Sequence, residues 1–563
     1  LKQMQISRFT VDLPGAFSMK GGGILENLAD SLTRSGTIGL DMITQNLNFL
    51  TALTGEAPNG TIVIPDSMNL KARVELKGPE YKANLHLKQG QGSMGVNAEL
   101  NTSTEAYAAD LKIDNLQLHN FLPKDSIYEL SLSADAKGRG LDVMSYRALA
   151  KLNLSLDQLH YARYQLSNVH LTGALKGALV TANLTSDNAL LKMTTDAEYN
   201  LAHRYPDGKV TVDVTQLDLH ELGLMPQPMK RPLAFNLSAE ARQNRVFTHL
   251  TSGDMKLNLS ARSGVNSLIS QSTHFMDVLM KQIDEKALNH AELREALPTA
   301  ILSFSAGKEN PLAYFLATKN ISYHDVSMKF GTAPDWGING KAAVHALKMD
   351  TLQLDTIFFT VKQDTTLMKL RAGVINGPKN PQFSFATTLT GEIRDRDAEL
   401  LVDYKNGKGE TGVLLGVNAR PLFEGHGKGN GIAFTLIPEN PIVAFQRFHF
   451  NENHNWIYLH KNMRVYANVD MWDEEGMGFR VHSVPGDTVS LQNIDVEIRR
   501  IRLQEITSVL PYFPEITGLF SLEAHYIQTE KDLQLSAEAS VDELTYERQR
   551  IGDVALGATW LPE

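Results

Sequence analysis

Apolar residues recur at every second position between Tyr128 and Leu201. Tyr128, Leu130, Leu132, Ala134 and Ala136 alternate with Glu129, Ser131, Ser133 and Asp135, and Gly138-Arg139-Gly140 ends the run. Ala150, Leu152, Leu154 and Leu156 alternate with Lys151, Asn153, Ser155 and Asp157. Val180, Ala182 and Leu184 begin a third strand. Leu191, Met193, Ala197, Tyr199 and Leu201 make a fourth, set against Lys192, Asp196, Glu198 and Asn200. A period of two sends successive side chains to opposite faces of a pleated sheet, so each strand has one apolar and one wet face. No helix-period segment lies between these strands, so neighbours are expected to pair antiparallel.

The same alternation returns at 233–241, 255–261, 463–471 and 533–541. A longer unit also recurs: an apolar-x-Leu-His/Gln strand end, a proline-containing connection and a Leu-x-Ala strand. Its three copies start at Leu116, Leu217 and Ile501. They are degenerate and irregularly spaced, which suggests a repeat architecture of low self-similarity. Helical periodicity is expected in three places. Ile24 to Arg34 carries Ile24, Leu25, Leu28 and Leu32 on one stripe, and Leu40 to Leu53 carries Ile43, Leu47, Leu50 and Leu53. The clearest is Val265 to Leu297, where Asn289 with Glu292 resembles a capping box and Pro298 lies just past the end. The organisation expected is a strand plus amphipathic helices over 1–60, β-groove repeats over 61–262, a helical insertion over 263–298 that packs on the end or mouth of a sheet, and β-groove repeats over 299–563.

A chain of 563 residues would ordinarily make several domains. No linker, charge block or composition break separates them, and a continuous elongated sheet fits that uniformity better. A net charge of −10 argues against a nucleic-acid partner. There is no cysteine, which excludes disulfides, thiolate catalysis and cysteine-based zinc sites. The chain starts at Leu1 without an initiator Met, and it reads as a piece of a longer protein whose anchor or targeting segment lies elsewhere.

Chemistry-bearing motifs are weak. Gly90-x-Gly92-x-x-Gly95 has the letters of a dinucleotide fingerprint, but Val96, Ala98 and Leu100 continue as a strand, so a hairpin turn is expected. Gly15 to Gly23 lacks the Gly-Lys-Ser/Thr ending of a phosphate loop. His449, His454 and His460, with Glu452 between the first two, could converge on a metal across a hairpin. Their odd spacing and polar surroundings favour solvated loop histidines. Asp470, Asp473, Glu474 and Glu475 lack the ligand ladder of a calcium loop and read as a solvated turn. No enzyme activity, metal or cofactor is expected.

An apolar face must be covered, since leaving one leucine in water forgoes roughly 1.5–3 kcal/mol. A second sheet would make a sandwich, lipid would make a membrane barrel, and a bound apolar ligand would fill a folded groove. The membrane barrel fits poorly, because aromatics are 7% and form no girdles. Periodicity does not separate sandwich from groove.

A family resemblance does. Gly138-Arg-Gly-Leu-Asp142, Leu152-Asn-Leu-Ser-Leu-Asp-Gln-Leu159, Tyr161-Ala-Arg-Tyr164 and Leu171-Thr-Gly173 resemble the TamB family, the translocation and assembly module component within the AsmA-like group. So do Val509-Leu510-Pro511, Thr517-Gly-Leu-Phe-Ser-Leu522, Leu544-Thr-Tyr546 and Ile551-Gly552. The style is similar to that of Bacteroidetes-type bacteria. The resemblance implies a mainly β fold: an elongated antiparallel sheet folded into a U-shaped apolar trough (a β-taco, or repeating β-groove), with a few amphipathic helices. At about 35 strands stacked at about 4.8 Å it would extend on the order of 170 Å.

It further implies a periplasm-spanning bridge in a Gram-negative envelope that moves phospholipids between inner and outer membrane and is linked to outer-membrane biogenesis and protein assembly. The implied partners are phospholipid acyl chains, an outer-membrane Omp85-type (TamA-like) protein, and the inner membrane through an anchor outside this chain. The candidate lipid-contact residues are Leu130, Leu132, Ala134, Leu152, Leu154, Leu156, Leu191, Met193, Ala197, Leu233, Phe235, Leu237 and Ala239. The competing readings are a structural tandem β-sandwich stalk or adhesin, and a scaffold that assembles outer-membrane proteins by edge-strand pairing.

Overall fold

A computed structural model of the protein describes residues 3–561, apart from 31, 47–64, 66, 123, 226–227, 229–231, 286–287, 423–430, 461–462, 488 and 510–512. The chain divides into two units, Leu1–Gly253 and Asp254–Glu563. Each is built on an open antiparallel sheet.

The first unit holds β1 (Gln3–Leu13), β2 (Phe17–Glu26), β3 (Ser35–Thr44), β4 (Met68–Lys77), β5 (Glu80–Gln89), β6 (Gly92–Asn101), β7 (Ala106–Gln117), β8 (Ile127–Arg139), β9 (Leu149–Tyr161), β10 (Tyr164–Leu166), β11 (Val169–Lys176), β12 (Leu179–Asp187), β13 (Leu191–Asn200), β14 (Gly208–Leu217), β15 (Leu233–Arg242) and β16 (Arg245–Ser252). The order is a meander. Successive strands pair antiparallel, and the short β10 adds to β9 beside β11. Short turns impose this. Gly78, Gly90 and Gly177 open two-residue connections at φ of 56°, 58° and 59°, the positive value that the tight hairpin turns require at their first central position.

The second unit begins with β17 (Met255–Ala261), α1 (Val265–Glu285), α2 (His290–Glu295), β18 (Ala300–Ala306), α3 (Pro311–Ala317), β19 (Ile321–Ser322) and β20 (Asp325–Ala333). It continues as β21 (Gly337–Met349), β22 (Leu352–Gln363), β23 (Leu367–Asn376), β24 (Phe385–Arg394), β25 (Ala398–Asn406), β26 (Thr411–Leu422), β27 (Gly431–Val443), β28 (Gln446–Arg447) and β29 (His449–His460). It ends with β30 (Val465–Trp472), β31 (Gly478–Ser483), β32 (Gln492–Arg502), α4 (Leu503–Val509), β33 (Ile516–Gln528), β34 (Leu533–Tyr546) and β35 (Gln549–Trp560). Pairing is again between neighbours, with β18 on β20 and β27 on β29 where a short strand intervenes.

The recurring strand-end unit has a common structural form. Before each copy the ladder slips by a β-bulge, between Ile113 and Leu116, between Val214 and Leu217, and between Ile498 and Ile501. After it the backbone coils: a 3-10 turn at Leu118–Asn120, a turn closed by Leu222 N–H on the Asp218 carbonyl, and α4. Asn115 and Arg500 sit at positive φ in the first and third bulges, and their amides donate to the cross-strand hydroxyls of Ser131 and Ser521 at 2.9 and 3.1 Å. A bulge bends a strand and raises its local twist, so these units re-aim the strand ends at intervals.

The helices expected near the N-terminus are corrected. Residues 17–26 and 35–44 are strands, and the segment 24–34 is the end of β2 plus a turn. Leu25 pairs with Gly36 and Ile24 with Thr37. The apolar stripe of Ile24, Leu25, Leu28 and Leu32 mimics helical spacing only because it straddles that turn. Gly21 belongs inside β2: a Cβ there would lie 2.5 Å from the Phe9 ring. Of the second expected helix, 40–44 is the end of β3, and residues 47–53 lie outside the described residues.

The insertion at 263–298 does carry helices. Asn289 caps α2, its side chain accepting from the Glu292 amide. The second arm of the box comes from elsewhere: the Asn289 amide donates to Gln282 Oε1 of α1 at 2.9 Å. The α2 helix lies against hairpin ends. His290 is fully buried, with Nε2 at 2.9 Å from the Ile393 carbonyl and Nδ1 at 3.2 Å from Gln363 Nε2. The amide donates to Nδ1, so Nε2 carries the proton. Arg294 donates to the Pro334 carbonyl. By contrast Ile269, Met276, Met280 and Ile283 of α1 are exposed. Replacing Asn289 by Ala is expected to cost about 1 kcal/mol and to speed hydrogen exchange in α2 before any strand.

No second sheet packs over either sheet within its unit among the described residues. The accessible surface is 33676 Å², whereas two compact globules sharing this mass would expose about 24,000 Å². Two buried clusters among the described residues are small. Val278, Leu293 and Ala296 join α1 to α2, and Phe448, Met471 and Met477 close one strand end in the second unit.

Candidate functional site

Register, which alternation alone does not determine, assembles the apolar residues into rows that cross the strands. In the first unit one row reads Leu40, Ala72, Leu85, Val96, Leu111, Ala134, Leu154, Leu171, Leu184, Thr195, Val212, Leu237 and Leu250, each directly opposite the next. Leu152, Gly173, Ala182, Ala197, Val210 and Ala239 form a second row beside it. Leu132, Leu156, Val169, Ser186, Met193, Val214 and Phe235 form a third. Directly opposed residues share a face, so the row from Leu40 to Leu250 is a strip about 58 Å long at the spacing of strands.

All thirteen candidate residues fall on this one face. Leu130 pairs with Leu116 and Leu159, and Leu191 and Leu233 both pair with Leu217. Twelve are half-buried and Leu152 is exposed; none is fully buried. Residues on β11 and β14 that complete the rows, such as Leu171, Val210 and Val212, were not among the candidates. Their signal is present in Val210-Thr-Val-Asp-Val214, a clean alternation. In β11 a glycine at 173 interrupts the pattern where the facing Leu152 side chain lies 3.7 Å from a Cβ built there.

The second unit repeats the arrangement. Leu257, Phe304, Met328, Ala342, Phe359, Ala372, Leu389, Val402 and Leu415 stand in one row. Near β29 to β31 its apolar face is closed locally by Phe448, 1% exposed, against Met471, Met477 and Phe479.

The opposite face is wet and carries the open concavities. One of them, ≈ 800 Å³, spans β1 to β6 and is lined by Arg8, Lys20, Lys71, Arg73 and His86 against Asp41. Small residues such as Gly39 and Gly95, which have nothing within 4 Å of a Cβ, leave that space.

The histidines and carboxylates singled out in the sequence take structural roles. His449 Nδ1 lies 2.6 Å from Asn440 Oδ1, and His454 faces Asp470 at 3.7 Å. His449, His454 and His460 are all on β29. Asp473 accepts from the amides of Glu475 and Met477 and so builds the β30–β31 turn. Gly90 sits in the β5–β6 hairpin turn, as expected. Among the described residues no group of three or more metal-ligating side chains could hold an ion, and no helix is long and apolar enough to cross a membrane.

Ion pairs on the wet face pin strand ends. Asp207 accepts from Arg242 Nη1 at 2.5 Å and faces His203 Nδ1 at 2.5 Å. The Arg242 guanidinium, helped by His203, holds the Asp207 carboxyl below the ordinary carboxylate range. A carboxyl whose folded pKa is depressed stabilises the fold above its unfolded pKa of about 3.9, and that contribution is lost as pH falls through the folded value. Arg242→Gln is therefore expected to lower Tm at pH 7, with the gap to the parent protein narrowing below about pH 4. A gap of equal size at pH 7 and pH 2.5 in thermal melts would contradict this origin.

These features define a class: single-layer antiparallel β proteins with one apolar and one wet face. Beyond that class, no protein-family model, curated protein or solved structure matches this chain.

Proposed function

We propose that this protein is a bridge-like lipid transfer protein whose apolar rows hold phospholipid acyl chains. One observation carries the reading: rows of mainly apolar side chains, interrupted by Thr195 and Ser186, on which every candidate residue is half-buried or exposed and over which no second layer lies among the described residues of the unit. A 16-carbon acyl chain costs roughly 12 kcal/mol to hold in water. A strip about 58 Å long exceeds the length of such a chain, so lipid can stay in apolar contact while it moves from strand to strand. The wet face keeps the sheet hydrated. No step needs a catalytic residue, because the work is partitioning.

The same reading takes the TamB-like resemblance at its word. It sets the protein in the periplasm of a Gram-negative cell, with an inner-membrane anchor outside this chain and an Omp85-type partner in the outer membrane. The test is native mass spectrometry of the purified chain with lipid extraction. Several phospholipids per chain are expected, and a well-folded protein that is consistently lipid-free would overturn the proposal.

A further inference from the structure

We infer that the wet face of β20 to β22 is a binding site for an anionic saccharide, a sugar ring bearing phosphate, sulfate or carboxylate. This site is separate from the apolar rows and does not depend on the lipid reading.

The argument begins with charge. Lys329 of β20 stands directly opposite Lys341 of β21, and Lys362 of β22 lies diagonal to Lys341. Like charges directly opposite on neighbouring strands destabilise a sheet. Among the described residues none of the three lysines forms an ion pair. Asp325, on the same face, is held by His324 at 2.9 Å and His345 at 2.8 Å. Glu392, three strands beyond Lys341 on the far side of β23, is engaged by Lys369 and Arg394. Arg371 of β23 lies over the Phe358 ring at 5.4 Å, adding a further cation to the patch. In a chain of net charge −10, an uncompensated cationic patch that weakens its own sheet fits an anion that is bound there.

An aromatic platform sits beside the lysines. Trp336, in the β20–β21 turn, lays its indole over Gly331. A Cβ on Gly331 would lie 2.6 Å from the ring, so only glycine leaves room for this placement. Asn339 fixes the turn by donating to the Trp336 carbonyl at 2.8 Å. Trp336 is 40% exposed, and with Lys329, Lys341 and Lys362 it bounds an open groove of ≈ 440 Å³. That volume takes one or two sugar rings. The C–H face of a sugar packs on the indole while the ammonium groups take its anionic substituents. Single-stranded nucleic acid is recognised by several aromatic platforms along a basic channel, and here one indole faces one short groove.

The test is calorimetric titration of the whole chain with a heparin-derived sulfated tetrasaccharide. Maltotetraose, inorganic sulfate and an eight-nucleotide oligodeoxythymidylate are run at equal ionic strength. The tetrasaccharide is expected to bind at least tenfold more tightly than each of the three and to change tryptophan fluorescence. Lys341→Thr is expected to weaken it about tenfold, the scale of one lost charge-assisted contact, while raising Tm because the opposed charges are gone. Unfolding therefore does not explain that loss. Trp336→Leu is expected to weaken the saccharide and leave inorganic sulfate unaffected. The proposal is overturned if the tetrasaccharide does not bind, if the oligonucleotide binds as tightly, or if either substitution leaves saccharide affinity unchanged.

Discussion

Purified protein carrying Leu154→Asp, Leu184→Asp and Leu237→Asp is expected to lose at least nine-tenths of its co-purified phospholipid and to remain folded. These three leucines lie in one row, on β9, β12 and β15. An acyl chain laid along the row would meet three carboxylates. Holding an ionised carboxylate against hydrocarbon without a partner costs several kcal/mol, enough to reverse the gain from a chain of this length. The fold should tolerate the change because each position is half-buried and its carboxylate reaches water. The lost burial is then about 1 kcal/mol per site, roughly half the value for a fully buried leucine. Native mass spectrometry reads the lipid, and far-UV circular dichroism reads the fold. Ser133→Asp with Thr172→Asp, on the wet face of the same sheet, is the control. Full lipid content in the row variant, or equal loss in the control, would remove the apolar face from the mechanism.

A large loss of stability is expected instead from Phe448→Ala. Phe448 is 1% exposed and fills the strand-end cluster with Met471, Met477, Val443 and Ile501. Emptying such a site costs about 3–5 kcal/mol. Leu154→Ala should cost only about 1 kcal/mol, because no second layer closes over it. That contrast discriminates the architectures. In a tandem sandwich Leu154 would sit between two sheets, and its truncation would cost about 2–5 kcal/mol. Hydrogen exchange resolves the two sites within one chain. Phe448→Ala should speed exchange of β30 and β31 amides, and Leu154→Ala should leave β9 and β11 close to the parent protein. A loss at Leu154 as large as that at Phe448 would favour the stalk.

The exposed stripe of Ile269, Met276, Met280 and Ile283 on α1 shows how far local pattern reaches. Its spacing announces an amphipathic helix, and the helix is present. The pattern does not say that one face packs on α2 through Phe275, Val278 and Leu279 while the other stays in water. The capping residue Asn289 was legible because a cap involves groups three residues apart. Its second partner, Gln282, was not, because it comes from the preceding helix.

The first forty-four residues mark where periodicity misled. Leu25, Leu28 and Leu32 have helical spacing, yet a turn divides them, and Gly21 is a strand residue placed where the Phe9 ring needs room. Likewise Gly173 interrupts the alternation of β11. The Lys329, Lys341, Lys362 and Trp336 grouping carried no signal at all, since those residues lie on three strands and a turn and meet only through register.

By itself the sequence determined the class of secondary structure, the side of each strand that is apolar and the short turns that force neighbours to pair antiparallel. These follow from contacts within a few residues: the pleat alternates side chains, and glycine supplies the positive φ that tight turns need. Tertiary structure alone decided which residues stand opposite one another, and so whether the leucines form rows. A one-residue slip or a bulge reverses the faces of everything beyond it, and the bulges at Ile113, Val214 and Ile498 are settled by hydrogen bonds to the partner strand. It also decided that, among the described residues, no second sheet covers the apolar face within its unit, while Phe448 closes it locally near β29 to β31, because covering depends on segments remote in sequence that alternation along one strand does not encode.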